Sequence, residues 1–465
     1  MADTIHYENR MSDADALMWS IEKDPLLRST ITAVAMLDKA PDRATFEARL
    51  ERGTRQVPRL RQRVVSNPFS LAPPRWEVDP NFDARFHIRW VKAAGDGSLA
   101  EVCRMAEPVA MQGFDRARPL WETVVVEGLA GGGAALVLKL HHAITDGVGA
   151  VKIALVLFDL EAEPGDLGPM PEAPEVRVLS QPERVADALD HQRRRALGRL
   201  RRFPAIAAAA ASAVAADPVG AARGVAEAAG SVARMLAPAN EPLSPVMTAR
   251  SLSVHFDTVS VPLEELKAAG RVAGGRLNDA FVAAVLGGWR RYHEAHDAYV
   301  ESLRMAMPIN VRNEASAEVA GNQFAPTRFL VPLGIDDPVE RMRAVRELVA
   351  AQRAEPALAL VDPFASIINR LPTTVSTGLF GSMLKGVDFT TSNVPGVPVP
   401  VFVAGAQMVS QFAFGPLSGA AANLTLVSYL DQVHVGINSD PAAVPDPDVL
   451  HQCMVEGFEE ILKTV

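Results

Sequence analysis

The sequence predicts an α/β fold built as two halves of similar size joined by a long linker. Short runs rich in Val, Leu and Ile, which are typical of buried strands, alternate with longer segments whose apolar residues recur at helical spacing. Between about residues 163 and 247 the composition shifts towards Pro, Glu, Arg and Ala. Because the chain has 465 residues, each half is long enough for a core of its own.

The first half is expected over residues 1–165. Its first strand is "STITAVAMLD", and an amphipathic helix follows it. "WETVVVEGL" and "AALVLKLHH" are two further strands separated by consecutive glycines, which predicts a hairpin. That hairpin ends at His141 and His142, and a helical pattern begins at about Gly147.

Residues 166–247 are expected to form the linker, with an Arg-rich and an Ala-rich helix, because a structureless loop of this length is improbable. The second half, residues 248–465, begins with the strand "SLSVHFDTVSV". A long helix follows over residues 277–296, and the chain closes with a hairpin and a last helix.

Composition and charge exclude several classes of protein. The net charge of −9 and the pI near 5.7 argue against a general nucleic-acid binder. Only Cys103 and Cys453 occur, which suggests no disulfide framework and fits a reducing compartment. The polar, acidic start has no signal-peptide pattern, and no apolar run reaches about eighteen residues. A cytoplasmic protein is therefore expected.

Two adjacent histidines at the end of the predicted hairpin have three interpretations. In the first, both are packed core residues and Asp146 caps the following helix. In the second, they bind a metal. In the third, one of them is a general base, held by a loop that Asp146 orders. A metal site is disfavoured, because consecutive strand residues point to opposite faces and no Cys or carboxylate cluster completes the ligand set.

Several motifs, in order along the chain, indicate a known family. "HHAITDG" fits His-His-x-x-x-Asp-Gly, the signature of the coenzyme A-dependent acyltransferase superfamily. "MSDADALMW" and "RPLWE" precede it, and "LND", "GNQF" and "SNVPGVPVPVFVAGA" follow. Together these motifs resemble the bacterial wax ester synthase/diacylglycerol acyltransferase family over nearly the whole chain, apart from the linker.

This resemblance implies a more specific architecture. The two halves are expected to be chloramphenicol acetyltransferase-like units, each with a mixed sheet flanked by helices, which form a pseudo-dimer around a central tunnel. The His motif is expected midway along that tunnel. Since only the first half carries the motif, one active site per chain is expected.

By resemblance, the reaction is the direct attack of an alcohol on the thioester of acyl-CoA, with His142 as general base. His141 is expected to point away from the substrate and position its neighbour, Asp146 to hold the loop, and Gly147 to allow a tight backbone. No Gly-x-Ser-x-Gly elbow suggests an acyl-enzyme. Acyl-CoA serves as co-substrate, and no cofactor or metal is expected.

The sequence does not single out the donor that stabilises the oxyanion. Backbone N–H groups and five side chains are candidates for this oxyanion donor or for a contact with the substrate. The side chains are Asn278, Asp279, Thr391, Ser392 and Asn393. The alternative interpretation of Asn278 and Asp279 is that they cap the N-terminus of a helix. The alternative interpretation of "NVPG" is that it forms a turn fixed by its Pro-Gly pair. Pro119, Leu120 and Trp121 are interpreted as a structural motif, with the indole packed between elements.

The leading functional hypothesis is esterification of diacylglycerol or a long-chain fatty alcohol, which yields triacylglycerol or wax ester. One alternative is acyl transfer from CoA or a carrier to another alcohol or to an amine, since fold does not fix the substrate. Another is a lipid-binding protein that has lost catalysis, against which the intact His142 and Asp146 argue.

An Arg-rich stretch in the linker suggests how the protein reaches oily substrates. "LDHQRRRALGRLRRFPAIAAAA" (189–210) places six arginines beside Leu189, Leu200 and Phe203 within an acidic protein. Such a helix is expected to lie on the inner membrane or a lipid-droplet surface. The alternative is a helix packed across the two halves, with its arginines solvated or paired with Asp187 and Asp190.

Overall fold

Two six-stranded mixed sheets flanked by helices make up the protein, as seen in a computed structural model. The model describes residues 7–68, 71–145, 147–163, 165, 167–239, 241–310, 324–356, 358, 365, 366 and 368–465. The helices are α1 (Asp13–Ile21), α2 (Arg43–Gln56), α3 (Ala84–His87), α4 (Leu99–Met111), α5 (Gly147–Leu157), α6 (Gln181–Ala216), α7 (Pro218–Leu236), α8 (Leu263–Val272), α9 (Leu277–Glu294), α10 (Pro338–Arg353), α11 (Thr373–Leu384) and α12 (Pro447–Leu462). The strands are β1 (Thr30–Leu37), β2 (Gln62–Val65), β3 (Arg75–Val78), β4 (Ile88–Lys92), β5 (Trp121–Glu127), β6 (Ala134–His141), β7 (His255–Pro262), β8 (Ser302–Asn310), β9 (Phe324–Pro332), β10 (Phe389–Val394), β11 (Phe402–Val403), β12 (Ala406–Phe414), β13 (Ala422–Tyr429) and β14 (Gln432–Ser439).

Each half of the chain builds most of one sheet. The first sheet has the order β11-β12-β1-β6-β5-β4, and the second has the order β7-β14-β13-β10-β8-β9. Both sheets are mixed: β4 runs parallel to β5, and β10 runs parallel to both β8 and β13. A separate hairpin of β2 and β3 lies outside them. The α/β architecture in two halves that the sequence predicts is confirmed.

The first sheet also contains strands from the second half. β12 pairs antiparallel with β1, with Thr32 opposite Phe414 and Val34 opposite Phe412. β12 then passes β14 so closely that a Cβ on Gly436 would overlap the carbonyl oxygen of Ala413. Because β12 contacts both sheets, it fixes one sheet against the other.

The hairpin that carries the histidines is formed as predicted. β5 and β6 pair antiparallel from Glu127 opposite Ala134 to Trp121 opposite Leu140. The turn between them contains Gly131 and Gly132 at φ 74° and 84°, a conformation that glycine adopts without steric cost. Most of β6 is buried, so its register is fixed and His141 is its last residue.

The linker forms two long helices. α6 begins with a capping box in which Ser180 and Glu183 bind each other's backbone N–H groups, and its first turns pack on the first half. There Arg75 Nη1 lies 2.6 Å from Asp187 Oδ2, and Arg195 Nη2 lies 2.7 Å from Asp13 Oδ2. The remainder of α6 is largely exposed, up to its end at residue 216. Among the described residues, no helix is long and apolar enough to cross a membrane.

His255 links the two halves at the start of β7. Its Nδ1 lies 3.1 Å from Glu107 Oε1 of α4, and its Nε2 lies 3.1 Å from Asp257 Oδ2. His451 Nδ1 of α12 lies 3.6 Å from the other Asp257 oxygen. Hydrogen bonds to Asp257 and Glu107 raise the pKa of His255 to about 9, because they favour the charged imidazolium.

We expect His255 to stabilise the folded protein below about pH 6.5, and this contribution to be lost as the pH rises towards 9. The histidine titrates near 6.5 in the unfolded chain and near 9 in the folded protein, so between these values the folded state holds the proton more tightly. Urea unfolding of the wild type and His255→Gln at about pH 6 and about pH 9.5 measures this effect. The wild type and His255→Gln should differ less in urea midpoint at the higher pH. An equal difference at both pH values would contradict the stabilising role of the charged His255.

Candidate active site

A cavity of about 610 Å³ lies between the two sheets. Its first wall consists of residues from β1 and β6 and of the histidine that follows β6: Ile31, Ala33, Ala35, Leu138, Leu140 and His142. Its opposite wall comes from β10 and β13: Thr390, Ser392, Val394, Asn423, Thr425 and Val427. Apolar side chains extend it in two directions, towards α1 and α11 and towards α5: Leu17, Met18, Phe380, Leu384, Val151 and Phe158. The space is therefore long, mostly apolar and shared by both halves.

Strand alternation places His142 on the cavity wall. In β6, Leu138 and Leu140 face the cavity, while Lys139 and His141 face the other side and are buried there. The backbone N–H of His142 donates to the carbonyl of Ser29 at 2.8 Å, and this bond extends the pairing of β6 with β1 by one residue. This bond fixes the backbone of His142, and the half-buried residue borders the cavity.

His141 points away from the cavity and is almost completely buried. Its Nδ1 accepts the backbone N–H of Ala143 at 3.0 Å, which assigns the ring proton to Nε2. Nε2 lies 2.9 Å from Oε1 of Glu22. The rings of Trp19 and Phe114 meet the imidazole edge-on, with centroids 5.4 Å and 6.0 Å away. These contacts fix the orientation of the ring.

Glu22, which directly follows α1, joins the two segments that hold His142 in place. Besides contacting His141, its Oε1 accepts the backbone N–H of Ser29 at 2.7 Å, and the carbonyl of Ser29 binds His142. Burial alone would raise the pKa of Glu22, but its contacts with the His141 ring and the Ser29 N–H hold it below its usual value. Sequence reasoning missed Glu22, because nothing local marks one glutamate at a helix end as the partner of a distant histidine.

The remaining motif residues are only partly described. Asp146 lies outside the described residues, as do Gly321, Asn322 and Gln323 of "GNQF". Gly147 begins α5, where the sequence predicts a helix to start. The helix runs to Leu157 and contributes Val151 to the cavity wall.

The five candidates for oxyanion or substrate contact lie in different places. Of these, Ser392 alone is among the described residues that line the cavity. Thr391 faces the core, with Oγ1 3.5 Å from Met305 Sδ. Asn393 is exposed and donates to Asn278 Oδ1 at 3.4 Å.

The last of these candidates, Asp279, closes the first turn of α9. Its carboxylate accepts the backbone N–H of Arg276 at 2.7 Å. This contact is of the kind that satisfies a free N–H group at a helix start. Asp279 is buried in that position.

Of Pro119, Leu120 and Trp121, the last two hold the open end of the histidine hairpin. The carbonyl of Leu120 accepts the backbone N–H of His141 at 3.0 Å. The Nε1 of Trp121 donates to the carbonyl of Leu60 at 2.7 Å, and the ring of His87 stacks on the indole at a centroid distance of 4.4 Å. The motif thereby ties β5 to neighbouring elements close to the site.

Gly396 of "SNVPG" has no room for a side chain, because an added Cβ would overlap the carbonyl oxygen of Ser428. We therefore expect Gly396→Ala to separate the end of β10 from β13 and to destabilise the fold strongly. Thermal unfolding by circular dichroism measures this effect. Gly378→Ala in α11 is the matched control, because its added Cβ meets no atom within 4 Å. Equal melting temperatures for the two variants would contradict the prediction.

The described part of the chain does not favour a metal site or a cysteine nucleophile. It contains no group of three or more His, Cys, Asp and Glu side chains placed to hold a metal ion. Both cysteines are buried, and burial raises the pKa of Cys103 to about 12, which makes its thiol a poor nucleophile. The titratable groups among the described residues that line the cavity are His142, Arg234, Arg328 and Glu355, and of these His142 lies on the wall formed by β1 and β6.

Two mixed sheets that enclose a shared cavity with a histidine on its wall define the class of two-half acyltransferase and condensation folds. The chain matches the wax ester synthase/diacylglycerol acyltransferase catalytic domain over residues 11–281 and the WS/DGAT C-terminal domain over residues 320–462. The chain therefore belongs to the wax ester synthase/diacylglycerol acyltransferase family.

Individual relatives agree with this assignment. A candidate diacylglycerol O-acyltransferase of Mycobacterium tuberculosis is 37% identical over 457 residues, which cover 97% of this chain and 92% of the relative. The wax ester synthase/diacylglycerol acyltransferase from Marinobacter aquaeolei VT8 has a similar fold, with a TM-score of 0.63 and 20% identity over 98% of this chain and 99% of that chain.

The fold extends beyond this family. The starter condensation domain of rhizomide synthetase, solved with C8-CoA and Leu-SNAC, superimposes with a TM-score of 0.58 and 14% identity over 99% of this chain and 94% of that chain. At this level of identity the likeness shows a common fold, and substrates differ among proteins that share one.

Proposed function

We propose that this member of the family is an acyl-CoA-dependent O-acyltransferase that esterifies diacylglycerol or a long-chain alcohol. The observation that carries the proposal is His142 on the wall of a long, mostly apolar cavity shared by both halves. Such a cavity suits an acyl chain and a lipid acceptor, because both bury apolar surface there. The intact HHxxxDG motif and the family assignment support the same conclusion.

In the proposed reaction the acceptor hydroxyl attacks the thioester carbonyl directly. His142 takes the hydroxyl proton as the new C–O bond forms, which makes a poor nucleophile effective at neutral pH. The C–S bond of the tetrahedral intermediate then breaks, and the CoA thiolate leaves and is protonated. Asp146 is proposed to hold the loop behind His142, and Ser392 or backbone N–H groups to stabilise the oxyanion.

A transfer assay tests this function. Purified protein is incubated with radiolabelled palmitoyl-CoA and either dioleoylglycerol or hexadecanol dispersed in detergent. We expect labelled triacylglycerol, wax ester or both. If the folded protein forms neither product, the proposed function is wrong, and assays with other alcohols or with carrier-bound amines would then identify the acceptor class.

We also propose that α6 docks the enzyme on an anionic lipid surface. Leu200 and Phe203 are 68% and 67% exposed, although apolar side chains of this size are usually buried. Arg193, Arg199 and Arg201 are exposed on the same helix. Apolar side chains flanked by arginines are typical of helices that lie in a membrane interface, and each cation contributes about 1 kcal/mol near anionic lipid.

Co-sedimentation with anionic vesicles at low and high salt tests the docking proposal. Arg195 is left unchanged, because it binds Asp13 and Ser366 within the protein. A variant with Gln at positions 193, 199 and 201 is compared with a control of equal charge, with Gln at positions 85, 104 and 343, where the arginines are also exposed. We expect only the α6 variant to lose salt-sensitive binding. Equal binding by both variants would contradict docking through α6.

A further inference from the structure

Two neighbouring strands of the second sheet present polar side chains to a cavity that is otherwise mostly apolar. β10 and β13 run parallel, with Thr390 beside Asn423 and Ser392 beside Thr425. All four side chains line the cavity, whereas Leu424 between them faces the core. We call these four residues the polar ladder, and its two rungs are the Thr390–Asn423 and Ser392–Thr425 pairs.

Asn423 is held so that part of its amide is available to a ligand. The residue is only 3% exposed, its Oδ1 accepts the hydroxyl of Thr425 at 2.8 Å, and its Nδ2 donates to the carbonyl of Pro416 at 3.2 Å. An amide nitrogen carries two hydrogens, and the second has no acceptor among the residues that the structure describes. The side-chain hydroxyl of Thr390 likewise makes no hydrogen bond to the described residues. The first rung thus offers two donors to the cavity.

Unpaired donors next to apolar surface are costly unless a ligand binds them. The ladder contains no charged group, so it fits a neutral acceptor atom such as a carbonyl oxygen. A fatty alcohol carries no polar group besides the hydroxyl that reacts. Diacylglycerol carries ester carbonyls a few bonds from its hydroxyl. The rungs are about 6.6 Å apart, because a strand rises about 3.3 Å per residue, and this spacing suits one rung at the reacting group and one at an ester.

On the basis of the proposed function, we propose that Thr390 and Asn423 bind an ester carbonyl of the acceptor and make the enzyme prefer diacylglycerol to fatty alcohols. Thr425 is a positioning residue, since its hydroxyl fixes the orientation of the Asn423 amide. A site built to hydrogen-bond a substrate discriminates against a substrate that lacks the matching group, because its buried donors are then left unpaired.

The test compares kcat/KM for dioleoylglycerol and hexadecanol, with palmitoyl-CoA as donor. The wild type should prefer dioleoylglycerol. Thr390→Val, which keeps the shape of the side chain, should lower kcat/KM for dioleoylglycerol about tenfold and change it for hexadecanol less than about threefold. Thr425→Val should shift the ratio in the same direction, and Thr425→Ser should restore it. Thr32→Val is the matched control, because this buried threonine lies between cavity-lining residues of β1 but faces away.

The outcomes separate this inference from the proposed function. Suppose that Thr390→Val and Thr425→Val both fold and lose kcat/KM equally for dioleoylglycerol and hexadecanol. This result would overturn the assignment of the polar ladder to acceptor binding. A wild type that prefers hexadecanol would also overturn it and would leave acyl transfer itself intact. If the wild type esterifies neither acceptor, the proposed function fails, and this inference fails with it. Thermal unfolding of each variant verifies that it is folded.

Discussion

Replacing His142 with alanine is expected to lower turnover by about 10²–10⁴-fold, the contribution that a general base typically makes. The reason is the position of His142, which borders the cavity and is, in the proposed reaction, the residue that receives the acceptor proton. The measurement is kcat with palmitoyl-CoA and the preferred acceptor. The substitution keeps the backbone hydrogen bond from residue 142 to the carbonyl of Ser29, and thermal unfolding verifies that the variant is folded.

His451→Ala is the control for this experiment, because His451 is partly exposed on α12, where its contact is with Asp257 of the second half. It should keep nearly full turnover. A folded His142→Ala variant that retains a third or more of the wild-type kcat would contradict the assignment of His142 as general base. It would also favour a mechanism in which the thioester and acceptor react without proton transfer to the protein.

Replacing Glu22 with alanine is expected to destabilise the protein and to lower kcat together. The carboxylate accepts the backbone N–H of Ser29, and its Oε1 lies 2.9 Å from the Nε2 of His141. Each buried donor left without an acceptor costs about 1–3 kcal/mol. Because Ser29 in turn binds the backbone of His142, the loss also loosens the catalytic residue.

Urea unfolding and kcat measure the two effects of this substitution. Glu22→Gln retains one carbonyl oxygen as acceptor. It should therefore keep part of the stability and part of the kcat that Glu22→Ala loses. The pKa of Glu22 is lowered in the folded state from its ordinary value of 4.5. Its contribution to the free energy of unfolding is therefore present above about pH 4.5 and is lost as the pH falls below that value. If Glu22→Ala unfolds at the same urea concentration as the wild type, Glu22 does not support the site.

Local patterns predicted the elements that bring the His motif to the site. Short apolar runs on both sides of a glycine turn specified the β5–β6 hairpin, and strand alternation implied that His141 and His142 face opposite sides. Both features depend only on residues that are close in sequence. The helix that begins at Gly147 and the closing hairpin of β13 and β14 are local in the same sense.

Long-range partners could not be predicted in this way. The apolar pattern of β12 identifies a strand but not its partner β1, which lies more than 360 residues away. The contact between Glu22 and His141 likewise joins residues that only the complete fold brings together. The ladder residue Asn423 left a usable signal in the sequence, because "NLTL" alternates polar and apolar residues in an otherwise buried strand. Such alternation in a central strand marks a polar face, and here that face lines the cavity.

The fold alone does not determine the acceptor. A condensation domain with 14% identity has the same arrangement of two halves. Chemistry therefore depends on the side chains that line the cavity. In this chain the first wall carries the proposed base, and the opposite wall carries neutral polar groups. This distribution is consistent with an acyl donor and an acceptor alcohol that meet between the two sheets.

A crystal structure of His142→Ala with bound palmitoyl-CoA tests whether the acyl donor binds beside His142 in the cavity, because this substitution is expected to slow turnover and to leave the cavity open. We expect the thioester carbonyl to lie inside the cavity, beside residue 142 and between the β6 and β10 walls, with the palmitoyl chain among the apolar side chains. A thioester bound outside this cavity, with the acyl chain away from both sheets, would show that His142 is not the general base of the transfer.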